Sequence, residues 1–188
     1  MDRGEILVDD GTNFLAVTKC YLDEPDYWMK LIREGGSYDQ KDTAIRLERA
    51  YCRVYQPGHT GENHLDPLRY EFDYTLNRFA RRLNILGERK LKTDPSMWGL
   101  IYTDGESCGP HGHGPVWEYS AVFYLKADVG CGPIFFPTID MEVEPEDNDL
   151  IIFNPRLQHG VMPNIISGAE RIAVAMNVTD RGKRKPSK

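Results

Sequence analysis

Residues 97–178 decide the fold: MWGLIYT (Met97–Thr103), YSAVFYLK (Tyr119–Lys126), IFF (Ile134–Phe136), DMEV (Asp140–Val143), LIIF (Leu150–Phe153) and IAVAMNV (Ile172–Val178) follow one another with only turn residues between them. Each run is short, apolar and rich in β-branched or aromatic side chains. The spacers are marked by Pro, Gly, Asn and Asp, such as EDND before Leu150 and NP after Phe153. Short strands at such spacing, with Gly and Pro turns, predict an antiparallel sandwich or barrel. The expected fold class is mainly β (α+β), a double-stranded β-helix or jelly roll with flanking N-terminal helices.

The first ninety-five residues read differently. Asp23 and Pro25 open a helix that carries Trp28, Leu31 and Ile32 on one side and ends at Gly35-Gly36. Arg49–Tyr55 alternates as a strand does. Asp66 as N-cap and Pro67 at the first helical position start a second helix. Its Leu68, Phe72, Leu76, Phe79, Leu83 and Leu86 recur every three or four residues, so one apolar stripe packs on a broad surface, a sheet. The expected organisation is a single domain over 1–188: an elaboration of helices and strand over 1–95, a jelly-roll core over 96–180, and a basic, disordered tail over 181–188.

Composition bounds the function. The chain has 188 residues and a formal net charge of −6, so it has no overall basic field for nucleic acid. It has no apolar run long enough to span a membrane. The N-terminal MDRGEILVDDG is acidic and does not resemble a secretory signal. Cys20, Cys52, Cys108 and Cys131 lack paired spacing and read as reduced thiols of a cytoplasmic protein. Cys108 lies three residues before His111, which leaves a Cys/His zinc site as a minor reading.

The chemistry-bearing residues lie among the strands. His111 and His113 are separated by one residue, so on an extended segment both imidazoles project to one side. His159 returns from a later strand to complete a metal site, with all three beside Gly or Pro. His59 and His64 sit in a polar loop and read as surface residues. Arg171 begins the last apolar strand. Pointing inward it needs a carboxylate, supplied either by a bound dicarboxylate or by an acidic residue of the protein.

In order, the motifs are Trp98–Tyr102, His111-Gly-His113, Phe123-Tyr-Leu125, the turn Gly130–Pro137, Val143-Glu-Pro145, Leu150–Phe153, His159–Pro163 and Glu170-Arg171. This succession resembles the iron(II)- and 2-oxoglutarate-dependent dioxygenases, specifically the prolyl-hydroxylase-like branch and related short bacterial and phage oxygenases. The resemblance covers residues 96–180. It implies that His111 and His159 ligate iron(II), that Arg171 binds the distal carboxylate of 2-oxoglutarate, and that Tyr102 and Tyr124 turn hydroxyls toward the cosubstrate. Asn177, inward by parity with Arg171, lines the pocket. O2 and a small-molecule or peptide substrate are the implied partners, with no membrane and no nucleic acid. Hydroxylation with release of succinate is the implied reaction.

One position departs from the pattern. His113 stands where the family has a carboxylate, and three arrangements remain open: three neutral His ligands, which we favour; a carboxylate supplied by Glu118; or two protein ligands with His113 outside the coordination sphere. Two further function classes compete. A three-His cupin-like dioxygenase would bind its substrate directly without 2-oxoglutarate. A non-enzymatic metal-binding jelly roll would leave no open coordination position. Specificity is expected in Gln56–Asn63 and Thr103–Gly109.

Overall fold

The computed structural model describes residues 4–34, 53–55, 68–82, 90–93, 97–114 and 116–180. The strands are β1 (Glu5–Asp9), β2 (Phe14–Lys19), β3 (Arg53–Tyr55), β4 (Leu91–Thr93), β5 (Trp98–Tyr102), β6 (Cys108–His111), β7 (Tyr119–Ala127), β8 (Ile134–Phe136), β9 (Met141–Val143), β10 (Asp149–Phe153), β11 (His159–Val161) and β12 (Arg171–Asp180). The helices are α1 (Pro25–Glu34) and α2 (Leu68–Arg82).

All pairings are antiparallel and make two sheets. The major sheet runs β1-β2-β10-β7-β12-β5-β3, with β4 also on β12; the minor sheet runs β6-β11-β8-β9. From β5 onward the chain steps between the sheets, the jelly-roll arrangement that the strand spacing predicts. The last strand is longer than its apolar run, because Arg171 pairs with Tyr102 and Asp180 with Leu91.

The major sheet is buried on both faces, which is why its central strands read as near-continuous apolar runs. On the outer face Ala121, Phe123 and Leu125 of β7 and Ile172, Val174, Met176 and Val178 of β12 pack with Leu68, Phe72, Leu76 and Phe79 of α2. Phe72 meets Phe123 with ring centroids 5.2 Å apart. The predicted stripe on this helix therefore covers the sheet as expected. Its capping residues and Leu83 and Leu86 lie outside the described residues, as do Gly35-Gly36, His59, His64, Gln56–Asn63, Cys52 and 181–188. On the inner face Leu100, Tyr102, Val122, Tyr124, Ile151, Phe153, Ala173 and Ala175 meet Cys108, Ile134, Phe136 and Val143 of the minor sheet. The functional residues sit in this inter-sheet layer.

The N-terminal region is more than a cover. Phe14–Lys19 forms a full edge of pairing with β10, from Asp149↔Lys19 to Phe153↔Leu15, and β1 and β3 extend the same sheet. The turn at Gly11, with φ of 82°, reverses the chain between β1 and β2.

An ionic cluster ties α1 to the start of β12. Arg33 Nη2 lies 2.5 Å and Lys126 Nζ 3.1 Å from Glu170 Oε2. Burial pushes the Glu170 carboxyl up, but Arg33 and Lys126 together outweigh it, so the net shift is downward. A carboxyl lowered on folding stabilises the protein above its ordinary range near pH 4.5, and the stabilisation is lost as pH falls through the lowered value. Glu170→Gln is expected to flatten this part of the acid-denaturation curve and to leave stability above pH 6 changed by less than about 1 kcal/mol. Urea unfolding at stepped pH measures both.

Candidate metal and carboxylate site

The three candidate metal ligands are brought together by strand register. β6 and β11 pair so that His159 lies opposite His111. His113 continues past the end of β6, and its backbone N–H donates to the Pro155 carbonyl at 2.7 Å, which ties its loop to the turn that leads into β11. The three imidazoles offer ligand atoms that all lie within 4.8 Å of one another. Their ring centroids are 4.3 Å (His111–His159), 5.1 Å (His113–His159) and 5.5 Å (His111–His113) apart. Among the described residues this is the one group of three or more His, Cys, Asp or Glu side chains so placed, and Glu118 is outside it.

Two backbone carbonyls orient the rings. His111 Nδ1 lies 3.0 Å from the Gly109 carbonyl and His159 Nδ1 lies 3.0 Å from that of Leu157. A carbonyl only accepts, so each Nδ1 carries the proton and each Nε2 presents a lone pair. Outer partners of this kind fix the tautomer of metal-binding histidines. Burial, reinforced by His111, pulls His159 down to about 3 against the Leu157 carbonyl. Burial, then His111, pulls His113 down to about 4. Both rings are therefore neutral at physiological pH, as a ligand must be. Phe153 and Trp98 wall the group, with centroids 4.5 Å from His159 and 6.3 Å from His113.

Arg171 starts β12 on the inner face and is 0% exposed, the largest side chain so completely buried. Its Nη1 donates to the Gly132 carbonyl, its Nη2 lies 3.4 Å from the Met162 carbonyl, and its guanidinium stacks 4.4 Å above the Tyr102 ring. Among the described residues no carboxylate pairs with it, so the alternative of a structural ion pair finds no partner there. Tyr124 lies on the adjacent strand, opposite Ala173. Burial pushes its phenol up, so it remains a hydroxyl donor.

Two polar atoms are left over in this layer: Arg171 Nε and the Tyr124 hydroxyl are both buried without a hydrogen-bond partner. Buried donors without partners are costly, about 1–3 kcal/mol each. A positively charged N–H and a phenol O–H, buried in one layer and close enough for the Arg171 charge to act on the phenol, suit one carboxylate. This chemistry fits the far end of a dicarboxylate whose other end reaches a metal held by the three imidazoles.

The sequence-predicted residues are thus distributed along one layer. Tyr102 lies under the guanidinium, with its hydroxyl in hydrogen-bond contact with the Cys108 thiol. Asn177 is buried further along β12 and accepts a hydrogen bond from Ser120 Oγ at 2.9 Å. Cys108 lies against the group rather than in it, its Sγ 3.6 Å from His111 Nδ1. The orienting carbonyls of Gly109, Leu157, Gly132 and Met162 were invisible in the sequence, because a backbone acceptor leaves no side-chain signature.

Gly132 shows how tight the Arg171 seat is. A Cβ there would run into the backbone carbonyls of Met162 and Pro163. Gly132→Ala is expected to cost about 1–3 kcal/mol by overpacking and to displace both carbonyls that hold the guanidinium. Urea titration measures the first effect; weaker dicarboxylate binding by calorimetry measures the second.

No family model matches the chain, and no curated protein matches it in sequence. Solved structures do match. A viral collagen prolyl hydroxylase from Paramecium bursaria Chlorella virus-1, in complex with 2-oxoglutarate, is 17% identical with a TM-score of 0.59, over 87% of this chain and 94% of that one. A Pseudomonas putida prolyl-4-hydroxylase is 17% identical with a TM-score of 0.60, over 90% and 94%. An oxidoreductase of the 2OG-Fe(II) oxygenase family from Burkholderia pseudomallei is 16% identical with a TM-score of 0.61, over 88% and 84%. At such identities the likeness establishes the fold, the jelly roll that these oxygenases share.

Proposed function

We propose that the chain is an iron(II)- and 2-oxoglutarate-dependent oxygenase with a three-histidine metal site, hydroxylating a peptide or small-molecule substrate. The observation that carries this reading is the pairing of the imidazole cluster with a buried, carboxylate-free Arg171 whose Nε, like the Tyr124 hydroxyl, lacks a partner.

His111, His113 and His159 would hold the ion through neutral nitrogen, with the Gly109 and Leu157 carbonyls keeping two rings in place. Arg171 and Tyr124 would hold the distal carboxylate of 2-oxoglutarate. The bound pair with O2 supplies an oxidant able to hydroxylate an unactivated C–H bond, at the expense of 2-oxoglutarate, which leaves as succinate and carbon dioxide. The chain's own part is positioning and exclusion of water: Phe153, Phe136, Ile134 and Tyr124 close the layer, all buried. No acid–base pair is required, and none lies beside the imidazoles among the described residues.

The third imidazole also supports a second reading, a three-His dioxygenase in which Arg171 grips an acidic substrate directly. Anaerobic titration of the iron(II)-loaded protein with 2-oxoglutarate separates the two. A visible metal-to-ligand charge-transfer band that saturates with the cosubstrate is expected. Tight iron binding with no band would overturn the 2-oxoglutarate reading in favour of the second.

A further inference from the structure

Ser120 and Asn177 form a polar pair in the inter-sheet layer that neither the metal nor the carboxylate seat uses. They are cross-strand partners on β7 and β12, 2% and 6% exposed respectively. Ser120 precedes Val122 and Tyr124 on the inner face, and Asn177 follows Ala173 and Ala175 on it. Ser120 Oγ donates to Asn177 Oδ1 at 2.9 Å. That bond fixes the carboxamide and engages its acceptor, while its two N–H donors make no hydrogen bond to any described residue.

Position along β12 separates this pair from the cosubstrate seat. Trp98 pairs with Ala175 and touches His113, so the imidazoles lie level with the middle of the strand. Asn177 lies six residues beyond Arg171, about 20 Å along an extended strand. A five-carbon dicarboxylate gripped by Arg171 spans only a fraction of that length. Asn177 therefore lies beyond the imidazoles from Arg171, at the end of the layer that a cosubstrate on Arg171 would leave to the molecule oxidised.

The chemistry of the pair restricts what it meets. Two N–H groups on a neutral carboxamide, engaged by none of the described residues, suit an acceptor oxygen. The start of β7 is tied to β12 beside the pair, where Glu118 N–H donates to the Val178 carbonyl at 2.8 Å. A neutral carboxamide offers an anion no charge pairing, so an uncharged carbonyl is the better match. Trp98, half-buried beside the site, offers a flat apolar wall for the remainder of such a molecule.

We infer that Asn177, held by Ser120, is a substrate-recognition residue that donates to the carbonyl oxygen of an amide on the molecule oxidised. This deepens the oxygenase reading and rests on it. The test uses the full chain, 15N-labelled and loaded with redox-silent zinc(II) and 2-oxoglutarate. It is titrated with N,N-dimethylacetamide, an amide acceptor without donors, and in parallel with acetate. The Asn177 side-chain N–H pair is identified by its disappearance in Asn177→Leu. A saturable shift of that pair with the amide is expected, with a smaller response to acetate. Asn177→Leu is expected to weaken amide binding about fivefold, read at the Trp98 indole, and Ser120→Ala to weaken it less.

No saturable shift in the parent protein, an equal response to acetate, or unchanged affinity in Asn177→Leu would overturn the inference. Loss of the 2-oxoglutarate charge-transfer band in iron(II)-loaded Asn177→Leu would overturn it too, by assigning the residue to the cosubstrate. Should Asn177→Leu fail to fold, Asn177→Asp, which keeps the shape and the acceptor for Ser120 but lacks the N–H pair, identifies the signal and the parent titration decides the matter. The two readings fail separately: a parent without the charge-transfer band overturns the oxygenase, whereas a parent with the band and no Asn177 shift overturns this inference alone.

Discussion

Arg171→Met is expected to weaken 2-oxoglutarate binding by about 30-fold to several thousand-fold while leaving the metal-free protein as stable as the parent, or more so. The two effects have opposite signs for one reason. Arg171 is fully buried, with two backbone carbonyls and the Tyr102 face as its partners and no carboxylate among the described residues. A buried charge without a counter-ion is a burden on folding, and an apolar side chain of similar size relieves it. When a dicarboxylate enters, the same charge completes a desolvated pair, and truncating such a pair costs about 2–5 kcal/mol. Calorimetry with 2-oxoglutarate measures the first effect and urea unfolding of the empty protein the second. Marked destabilisation of the empty variant would mean that Arg171 serves the fold. Arg171→Lys would not rescue fully, because an ammonium lacks the planar fork and the Nε donor. Tyr124→Phe removes the other unpartnered donor, and its smaller loss, about 0.5–1.5 kcal/mol of binding, should appear only while Arg171 is present.

What could be read from the sequence depended on side chains rather than backbone. The runs from Tyr119 to Val178 announced strands because both faces of the major sheet are buried, and the α2 stripe announced the surface it covers. His111-Gly-His113 was legible as a pair, since alternation needs no tertiary information. Its convergence with His159 was not, because that depends on the register of β6 against β11. β6 itself, Cys-Gly-Pro-His, looks like a loop. Pro110 is tolerated there because β6 is the edge of the minor sheet, where one side of the strand has no ladder to feed. Phe14–Lys19 carried a readable signal, an apolar β-branched run after an Asp-Asp-Gly turn, and its pairing with β10 makes the N-terminal region part of the core sheet as well as its cover. That His113 stands where the resembled family has a carboxylate was legible in the sequence, and three ligand arrangements stayed open there. Its consequence required the geometry, which places that ring with the other two and leaves Glu118 outside the group.

The second large effect concerns that ligand set. His159→Ala is expected to lower iron(II) affinity by more than about 100-fold, since loss of an outer partner alone costs 10–100-fold and His159 is an inner ligand in this reading. Its ring is the most constrained of the three, 5% exposed, bonded to Leu157 through Nδ1 and packed 4.5 Å from Phe153. The affinity is best read as a metal-dependent change in melting temperature, which cancels the cost of the cavity that alanine leaves. At a free metal concentration about 1,000 times the dissociation constant, binding stabilises the parent by roughly 4 kcal/mol. That corresponds to about 8–16 °C for a chain of this size. A 100-fold loss leaves the metal at about 10 times the dissociation constant, so in His159→Ala the shift should fall to about a third or less, roughly 1.4 kcal/mol or about 3–6 °C at most. His113 then discriminates among the three ligand arrangements. With three imidazoles on the ion, His113→Ala loses most of the shift and His113→Asp retains it, because a carboxylate at that place also ligates and brings a compensating charge. With Glu118 as the ligand, His113→Ala keeps the shift and Glu118→Gln loses it. With two protein ligands, neither substitution moves it far. The neutrality of the site sets the pH window: His113 and His159 are held down to about 4 and about 3, so proton competition at these two rings does not begin until well below pH 6. These two rings should therefore add no pH dependence to the metal-dependent shift of the parent between pH 8 and about 6, where exposed histidines, titrating near 6.5, would already be competing with the ion for protons.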